Sequence, residues 1–211
     1  MPPIAAHGQA PTEYLALGDS YSIGEGVRDD QRWPVQLAAA MRARGIAIAH
    51  PHLIAKTGWT TDELSAAIDQ EQKHGQLRKH YGLVSLLIGV NDQYRGSTAA
   101  EYAKKFSRLL DRAIALAAGD PKHVLVVSIP DWGTTPFARA SGRDRAQIAR
   151  EIDQFNAVDA AACRQRGVTW IDITDLTRAP HSAHLLVADG LHPSPEMYAL
   201  WVARIQKALP K

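Results

Sequence analysis

The segment YLALGDS, residues 14–20, is a short apolar run that stops abruptly at a Gly-Asp-Ser turn. Its apolar part predicts a buried strand, and the turn places Ser20 where that strand ends. In a parallel α/β sheet, the groups that do chemistry lie at the carboxyl ends of strands, where the following loops open into a crevice. Ser20 is therefore a candidate nucleophile, although Asp and Ser are also typical of an ordinary β-turn or a helix N-cap.

Four further segments are predicted to be strands. Residues 83–88 form a continuous apolar run, which is typical of a central strand covered on both faces, and residues 124–129 have the same character. Residues 46–55 hold the second strand, and Pro51 interrupts it, which favours an edge position. Residues 168–172 supply the fifth strand.

Helical patterns separate these strands. Thr60 and Glu63 have the spacing of a capping box, as have Thr98 and Glu101, so helices are predicted to begin at both places. A loop of about twenty residues precedes the last helix and is longer than a connection needs. The alternation of strands and helices predicts a parallel sheet between two helix layers. The remaining predicted helices cover residues 33–44, residues 142–166 and the stretch that follows Ser194 and Pro195.

Composition and charge fit one ordinary globular domain. The chain has 211 residues, so a single domain over residues 1–211 is predicted, with residues 1–12 as a loose amino-terminal arm. A formal net charge of +2 gives no support for binding nucleic acid. The single cysteine, Cys163, excludes an intrachain disulfide, and its helical surroundings indicate a small core residue.

Hydropathy bears on the cellular compartment. No apolar run approaches the ~20 residues that cross a bilayer, and the first residues lack the basic start and apolar core of a signal peptide. The sequence predicts a soluble protein without a membrane span, which is cytoplasmic as written, or periplasmic or secreted if a signal peptide has been removed.

An acid and a histidine stand three residues apart in the last loop, in the run DGLH of residues 189–192. A carboxylate that accepts from one imidazole nitrogen fixes the tautomer, so that the other nitrogen can take a proton from a serine hydroxyl. Asp189 and His192 are therefore candidates for the orienting acid and the base that Ser20 needs.

The same loop raises the alternative of a metal site. His181 and His184 lie close in sequence to Asp189 and His192, and these are residue types that bind zinc. Because Asp189 and His192 are better used by the serine, no metal is predicted.

Acyl transfer also needs hydrogen-bond donors aimed at the oxygen that becomes negative. Gly58 follows the second strand and precedes a helix, so its backbone N–H is available without a Cβ in the way. Asn91 follows the third strand and could offer its side-chain amide, and the Ser20 N–H is a third candidate donor. Gly58 could equally be a turn glycine, and Asn91 a turn or cap residue.

Taken in chain order, the blocks GDS at 18–20, GVND at 89–92 and DGLH at 189–192 resemble those of the SGNH hydrolases, also called the GDSL family of esterases and lipases. The resemblance runs from residue 18 to residue 192, and the block around Gly58 is its least specific part. It implies a flavodoxin-like three-layer α/β/α sandwich, with a five-stranded parallel sheet in the order 2-1-3-4-5, and neither metal nor organic cofactor. The residues that it implies are Ser20 as nucleophile, His192 and Asp189 as base and acid, and Ser20, Gly58 and Asn91 as oxyanion donors.

We therefore predict a serine esterase that hydrolyses a small-molecule carboxylic ester, with a short-chain acyl or aryl group, through an acyl-serine intermediate. The alternatives are a carbohydrate O-deacetylase, a thioesterase or a lysophospholipase. The residues around Ser20 do not form Gly-x-Ser-x-Gly, which argues against the α/β-hydrolase fold. A non-catalytic binding module on a flavodoxin-like scaffold is the alternative outside enzymes.

Side chains just past the strand ends are candidates to contact the substrate. Those that could line an acyl or aryl pocket, or stack on a sugar ring, are the aromatic residues Trp59, Tyr94, Trp132 and Phe137. Those that could meet a polar or anionic leaving group, or simply be solvated, are Arg28, Arg95 and Arg139.

Overall fold

Five parallel strands form one sheet in the computed structural model, which describes residues 10–209. The strand order β2-β1-β3-β4-β5 confirms the predicted topology, and β2 lies at an edge, as predicted. The second strand is shorter than expected, because residues 46–51 lie outside it and Pro51 precedes it rather than interrupting it. Both β1 and β3 are buried along their whole length, as expected of strands covered on both faces. The strands are β1 (Tyr14–Gly18), β2 (His52–Ala55), β3 (Leu83–Leu87), β4 (Val124–Val127) and β5 (Thr169–Ile171).

Helices cover both faces of this sheet and complete an α/β/α sandwich. On one side α2 packs against α9, and on the other α3 and α7 both pack against α5. The α-helices of the described residues are α1 (Ser20–Ile23), α2 (Trp33–Ala43), α3 (Thr61–Lys73), α4 (Val90–Tyr94), α5 (Ala99–Leu116), α6 (Pro136–Ala140), α7 (Arg145–Arg166), α8 (Thr174–Arg178) and α9 (Pro195–Ala208).

The capping residues predicted for three of the long helices, α3, α5 and α9, are confirmed. Thr60 and Thr98 each accept the N–H of the glutamate three residues later, and each glutamate accepts in return, which confirms both capping boxes. Ser194 caps α9, with Pro195 in its first turn. Cys163 is fully buried within α7, as predicted.

Three further predictions need correction. The helix expected over residues 142–166 begins at Arg145, because the Asp144 carboxylate accepts the N–H groups of the first turn. The long loop before α9 contains α8 and a short 3₁₀ turn at Ser182–His184. The loose arm predicted over residues 1–12 falls mostly outside the described residues, and its last residue, Thr12, is held by a parallel bridge to Ile48.

Gly89 lies between β3 and α4, and a substitution there would show how tightly the carboxyl end of β3 is packed. Its φ of 122° disfavours any side chain, and an added Cβ would lie 2.5 Å from the Tyr102 hydroxyl and 2.8 Å from Ile129 Cδ1. Strain and overpacking together predict that Gly89→Ala costs about 3 kcal/mol in the free energy of unfolding by urea. Gly96→Ala is the control, because Gly96 also has positive φ but open space, and about 1 kcal/mol is expected. Equal losses in the two variants would contradict the packing argument.

Candidate active site

Ser20 begins α1 immediately after β1, so a four-residue helix fixes the position of the serine. Asp19 caps this helix by accepting the Tyr21 N–H at 3.0 Å, and Gly24 ends it in the left-handed conformation. Ser20 itself is only 5% exposed. The GDS turn thus caps α1 through Asp19 and places the Ser20 hydroxyl at the carboxyl edge of the sheet.

A cavity of about 220 Å³ opens at this edge. Four of the five predicted catalytic and oxyanion residues line it together, namely Ser20, Gly58, Asn91 and His192. They come from the segments that follow β1, β2 and β3 and from the loop before α9. The structure therefore brings residues from four distant parts of the sequence to one place.

The imidazole of His192 is held by Asp189. His192 Nδ1 lies 2.6 Å from Asp189 Oδ2, while Asp189 Oδ1 accepts the backbone N–H groups of Leu191 at 2.8 Å and His192 at 2.9 Å. Partial burial acts to raise the pKa of Asp189, but these hydrogen bonds outweigh it and bring the pKa below its usual value. An ionised carboxylate only accepts, so Nδ1 carries the hydrogen and Nε2 is free to act as a base.

The Ser20 hydroxyl and His192 share the cavity without a direct hydrogen bond. Within the described residues, no contact of 3.5 Å or less with hydrogen-bond geometry joins them. Such contacts are often long until a substrate completes the site.

Two predicted oxyanion donors lie outside α1. Gly58 is in the turn between β2 and α3, and Asn91 is in the first turn of α4, after β3. Gly58 has φ of 85°, a left-handed conformation that favours glycine. Asn91 belongs to α4, and its Nδ2 donates to the Trp59 carbonyl at 2.9 Å. Since a side-chain amide has two N–H groups, this bond orients Asn91 and leaves one donor available.

Three of the four predicted aromatic residues line the cavity, and one does not. Tyr94, Trp132 and Phe137 form one wall, with ring centroids 5.4 Å apart for Tyr94 and Trp132 and 6.1 Å apart for Trp132 and Phe137. Trp59 instead packs, partly buried, against the core. Its predicted contact with the substrate therefore has no support from this geometry.

Sequence reasoning missed the polar groups that hold this aromatic wall. Trp132 Nε1 donates to Gln93 Oε1 at 2.8 Å, and Gln93 in turn donates to Glu151 at 2.6 Å. The Arg143 guanidinium lies 4.0 Å above the Tyr94 ring. These contacts join residues 39 to 58 positions apart, and no local pattern in the sequence marks them.

Two of the three predicted rim arginines are already paired within the protein. Arg28 forms a salt bridge with Asp30, and Arg95 binds both Glu63 and the Gly58 carbonyl. Arg139 donates weakly to the Thr134 carbonyl at 3.4 Å. The Arg95 side chain is 52% exposed, which agrees with its interpretation as a solvated arginine, and its guanidinium is in addition hydrogen-bonded within the protein.

Neither a metal cluster nor a spanning helix occurs in the part of the chain that the structure describes. No three His, Cys, Asp or Glu side chains of residues 10–209 are grouped so that they could hold a metal ion. Across the same residues, every helix is too short or too polar to cross a membrane.

The fold and the grouped side chains define an α/β/α sandwich with a candidate acyl-transfer site at the carboxyl edge of its sheet. Residues 16–200 match the GDSL-like lipase/acylhydrolase family, and the chain belongs to that family. This membership supports a hydrolase that acts on ester bonds. No curated protein matches the chain in sequence.

Solved structures share the whole fold at low sequence identity. A lipase/acylhydrolase from Enterococcus faecalis has a TM-score of 0.69 and 21% identity, with 93% of this chain and 94% of that chain covered. TesA has a TM-score of 0.69 and 21% identity over 93% and 97%. Axe2, an acetylxylan esterase from Geobacillus stearothermophilus, has a TM-score of 0.71 and 16% identity over 96% and 95%.

The buried Asp19 carboxyl makes the free energy of unfolding depend on pH. Complete burial raises the pKa of Asp19 to about 8, and the negative charge of Asp92 adds to the effect. Between about pH 4 and pH 8 the folded protein keeps a proton that the unfolded chain has released, so the stabilisation contributed by Asp19 is complete below about pH 4 and is lost as the pH rises toward 8.

Asp19→Asn is predicted to remove the part of this decline that Asp19 causes, at most about 1.4 kcal/mol per pH unit. Urea unfolding at several pH values between 4 and 8 measures it. Asp30→Asn is the control, because Asp30 is an exposed carboxylate paired with Arg28 and should leave the decline in place. Parallel curves for the wild type and Asp19→Asn would show that Asp19 does not hold the proton.

Proposed function

We propose that this protein is a serine esterase that hydrolyses carboxylic esters through an acyl-serine intermediate. The observation that carries the proposal is that Ser20, Gly58, Asn91 and His192 line one cavity while Asp189 holds the His192 ring at 2.6 Å. A nucleophile, an oriented base and separate donors are the parts that acyl transfer requires.

In the proposed reaction, His192 Nε2 takes the proton of the Ser20 hydroxyl as the serine oxygen attacks the ester carbonyl. The imidazolium that forms is stabilised by the Asp189 carboxylate, whose lowered pKa keeps it ionised at neutral pH. His192 then gives the proton to the leaving alcohol, and in the second half it activates the water that releases the acid.

The carbonyl oxygen becomes negative in both halves of the reaction. We assign its stabilisation to the backbone N–H groups of Ser20 and Gly58 and to the free N–H of the Asn91 side chain. Each such donor contributes roughly 3 to 4 kcal/mol to lowering the barrier. Family membership and the shared cavity support this assignment.

The cavity lining favours an uncharged, partly apolar substrate. Among the described residues, none of its lining side chains is Asp, Glu, Lys or Arg, and Tyr94, Trp132 and Phe137 supply aromatic surface. This composition suits a short acyl chain or an aryl group. A carbohydrate O-deacetylase is the second candidate, because aromatic walls also stack on sugar rings and one similar fold is that of an acetylxylan esterase.

Ser20→Ala is predicted to abolish both labelling by a fluorophosphonate probe and hydrolysis of p-nitrophenyl acetate, because no other group would carry the acyl intermediate. Ser22→Ala is the matched control, since Ser22 lies in the same helix, is buried and does not line the cavity. Gel fluorescence and initial rates measure the two effects. Undiminished hydrolysis by Ser20→Ala would refute the proposal, and a protein without ester hydrolysis would favour the binding-module alternative.

Tyr94→Ala is predicted to raise the KM for p-nitrophenyl esters of longer acyl chains by about 5-fold, because one aromatic contact is lost, and to leave the acetate ester nearly unchanged. The side chain is 39% exposed, so the fold should tolerate the change. Leu200→Ala is the control, since Leu200 is exposed but lies on α9 away from the cavity.

A panel of acyl esters measured beside acetylated sugars separates the two substrate classes. Faster hydrolysis of the acetylated sugars than of every acyl ester would replace the acyl or aryl esterase by the deacetylase. An identical change in KM for all chain lengths in Tyr94→Ala would contradict the placement of the acyl chain against this wall.

A further inference from the structure

The short helix α4 holds the loop that carries the Gly58 donor. Asn91 donates to the Trp59 carbonyl at 2.9 Å, and Asp92 accepts both the N–H and the hydroxyl of Thr61 at 2.8 Å. Arg95, directly after the helix, donates through Nη2 to the Gly58 carbonyl at 2.6 Å. Three side chains from one five-residue helix and its C-cap thus bind the backbone of residues 58–61.

Glu63 fixes the other end of the arginine. Arg95 Nη1 lies 3.2 Å from Glu63 Oε2, and the same carboxylate oxygen accepts the N–H of Thr60 at 2.8 Å and its hydroxyl at 2.9 Å. Hydrogen bonds from Thr60 and the nearby Arg95 charge hold the pKa of Glu63 below its usual value, so the carboxylate stays ionised. The guanidinium therefore bridges the start of α3 and the glycine that precedes it.

The capping box at the start of α5 offers a comparison, because in the described part of the chain it has the same hydrogen bonds without an arginine bridge. Thr98 and Glu101 repeat the reciprocal hydrogen bonds of Thr60 and Glu63 with nearly the same distances. Within the described residues, however, no arginine or lysine forms a salt bridge with Glu101. A capping box alone is sufficient to begin a helix, so the Arg95 bridge serves something beyond the start of α3.

Gly58 is the part of the loop that needs this support. A glycine at φ of 85° has no side chain to pack, and its backbone loses more conformational freedom on ordering than that of any other residue. Its N–H helps catalysis only if it points at the developing oxyanion, and small errors in such geometry are costly in rate. Apart from the adjacent residues Thr57 and Trp59, Arg95 is the nearest side chain, 3.9 Å from where a Gly58 Cβ would lie.

We propose that Arg95 is a positioning residue, anchored by Glu63, that orients the Gly58 backbone as an oxyanion donor. The proposal rests on the esterase function proposed above, because it assigns Arg95 a role in the same site. Arg95 acts through its bond to the Gly58 carbonyl and does not itself touch the substrate.

Arg95→Met removes both hydrogen bonds and keeps an unbranched apolar stem. We expect kcat for p-nitrophenyl acetate to fall about 10- to 100-fold, less than the loss of a donor itself, with KM within about 2-fold of wild type. Arg95→Lys should recover part of kcat, because an ammonium can still donate to the Gly58 carbonyl. The Arg95 side chain is 52% exposed, so the thermal midpoint should change little.

Arg112→Met is the matched control. Arg112 also donates to a backbone carbonyl, that of Ser65 at 3.0 Å, and also forms a salt bridge, with Asp69, but it joins α5 to α3 away from the cavity. We expect kcat and KM of this variant to equal those of wild type. A loss of kcat as large as that of Arg95→Met would show that any arginine bridge on α3 has the same effect and would overturn the proposal.

Amide hydrogen exchange of residues 58–61 provides a readout that does not need activity. Faster exchange in Arg95→Met than in wild type and Arg112→Met is expected. Unchanged exchange, unchanged kcat, or a change in KM alone would overturn the role of Arg95. Failure of the esterase function is seen separately, as a wild-type protein that does not hydrolyse esters or a Ser20→Ala variant that still does.

Discussion

The pairing of three strands at Gly18 is the constraint on which the candidate site depends. Gly18 stands opposite Ala55 of β2 on one side and Leu87 of β3 on the other, so the three parallel strands end at the same level. An added Cβ at Gly18 would lie 2.6 Å from the Leu87 carbonyl, which leaves no room for a side chain. The residues that follow these strands therefore emerge together at one edge of the sheet.

Two carboxyl groups beside this edge have opposite electrostatic surroundings. Asp189 receives two backbone N–H groups and the His192 ring, and its lowered pKa keeps it charged. Asp19 is completely buried, one of its oxygens has no hydrogen-bond partner, and its raised pKa favours the protonated form. The site thus places one negative charge, that of Asp189, against the base, while Asp19 serves as a cap for α1.

The sequence was sufficient to predict the sheet, the long helices and the polar residues Ser20, Gly58, Asn91 and His192 that share the cavity, because each has a local signal. Apolar runs mark β1 and β3, capping boxes mark α3 and α5, and the strand ends mark Ser20 and Asn91.

Helices of four or five residues, such as α4 and α8, span too few turns to show a helical period. The contacts of Arg95 and the packing of Trp59 depend on which segments meet in space, which no spacing in the sequence records. The strand order came from the resemblance to a family. The catalytic roles of the site residues stay predictions.

Identification of the acylated residue shows whether Ser20 is the nucleophile. Wild-type protein is mixed with p-nitrophenyl butyrate, quenched in acid during the first turnover and digested, and the peptides are analysed by mass spectrometry. We expect one butyryl group per chain, located on Ser20, together with a burst of p-nitrophenol of about one equivalent. A butyryl group on another residue, or a burst without an acylated Ser20 peptide, would contradict it.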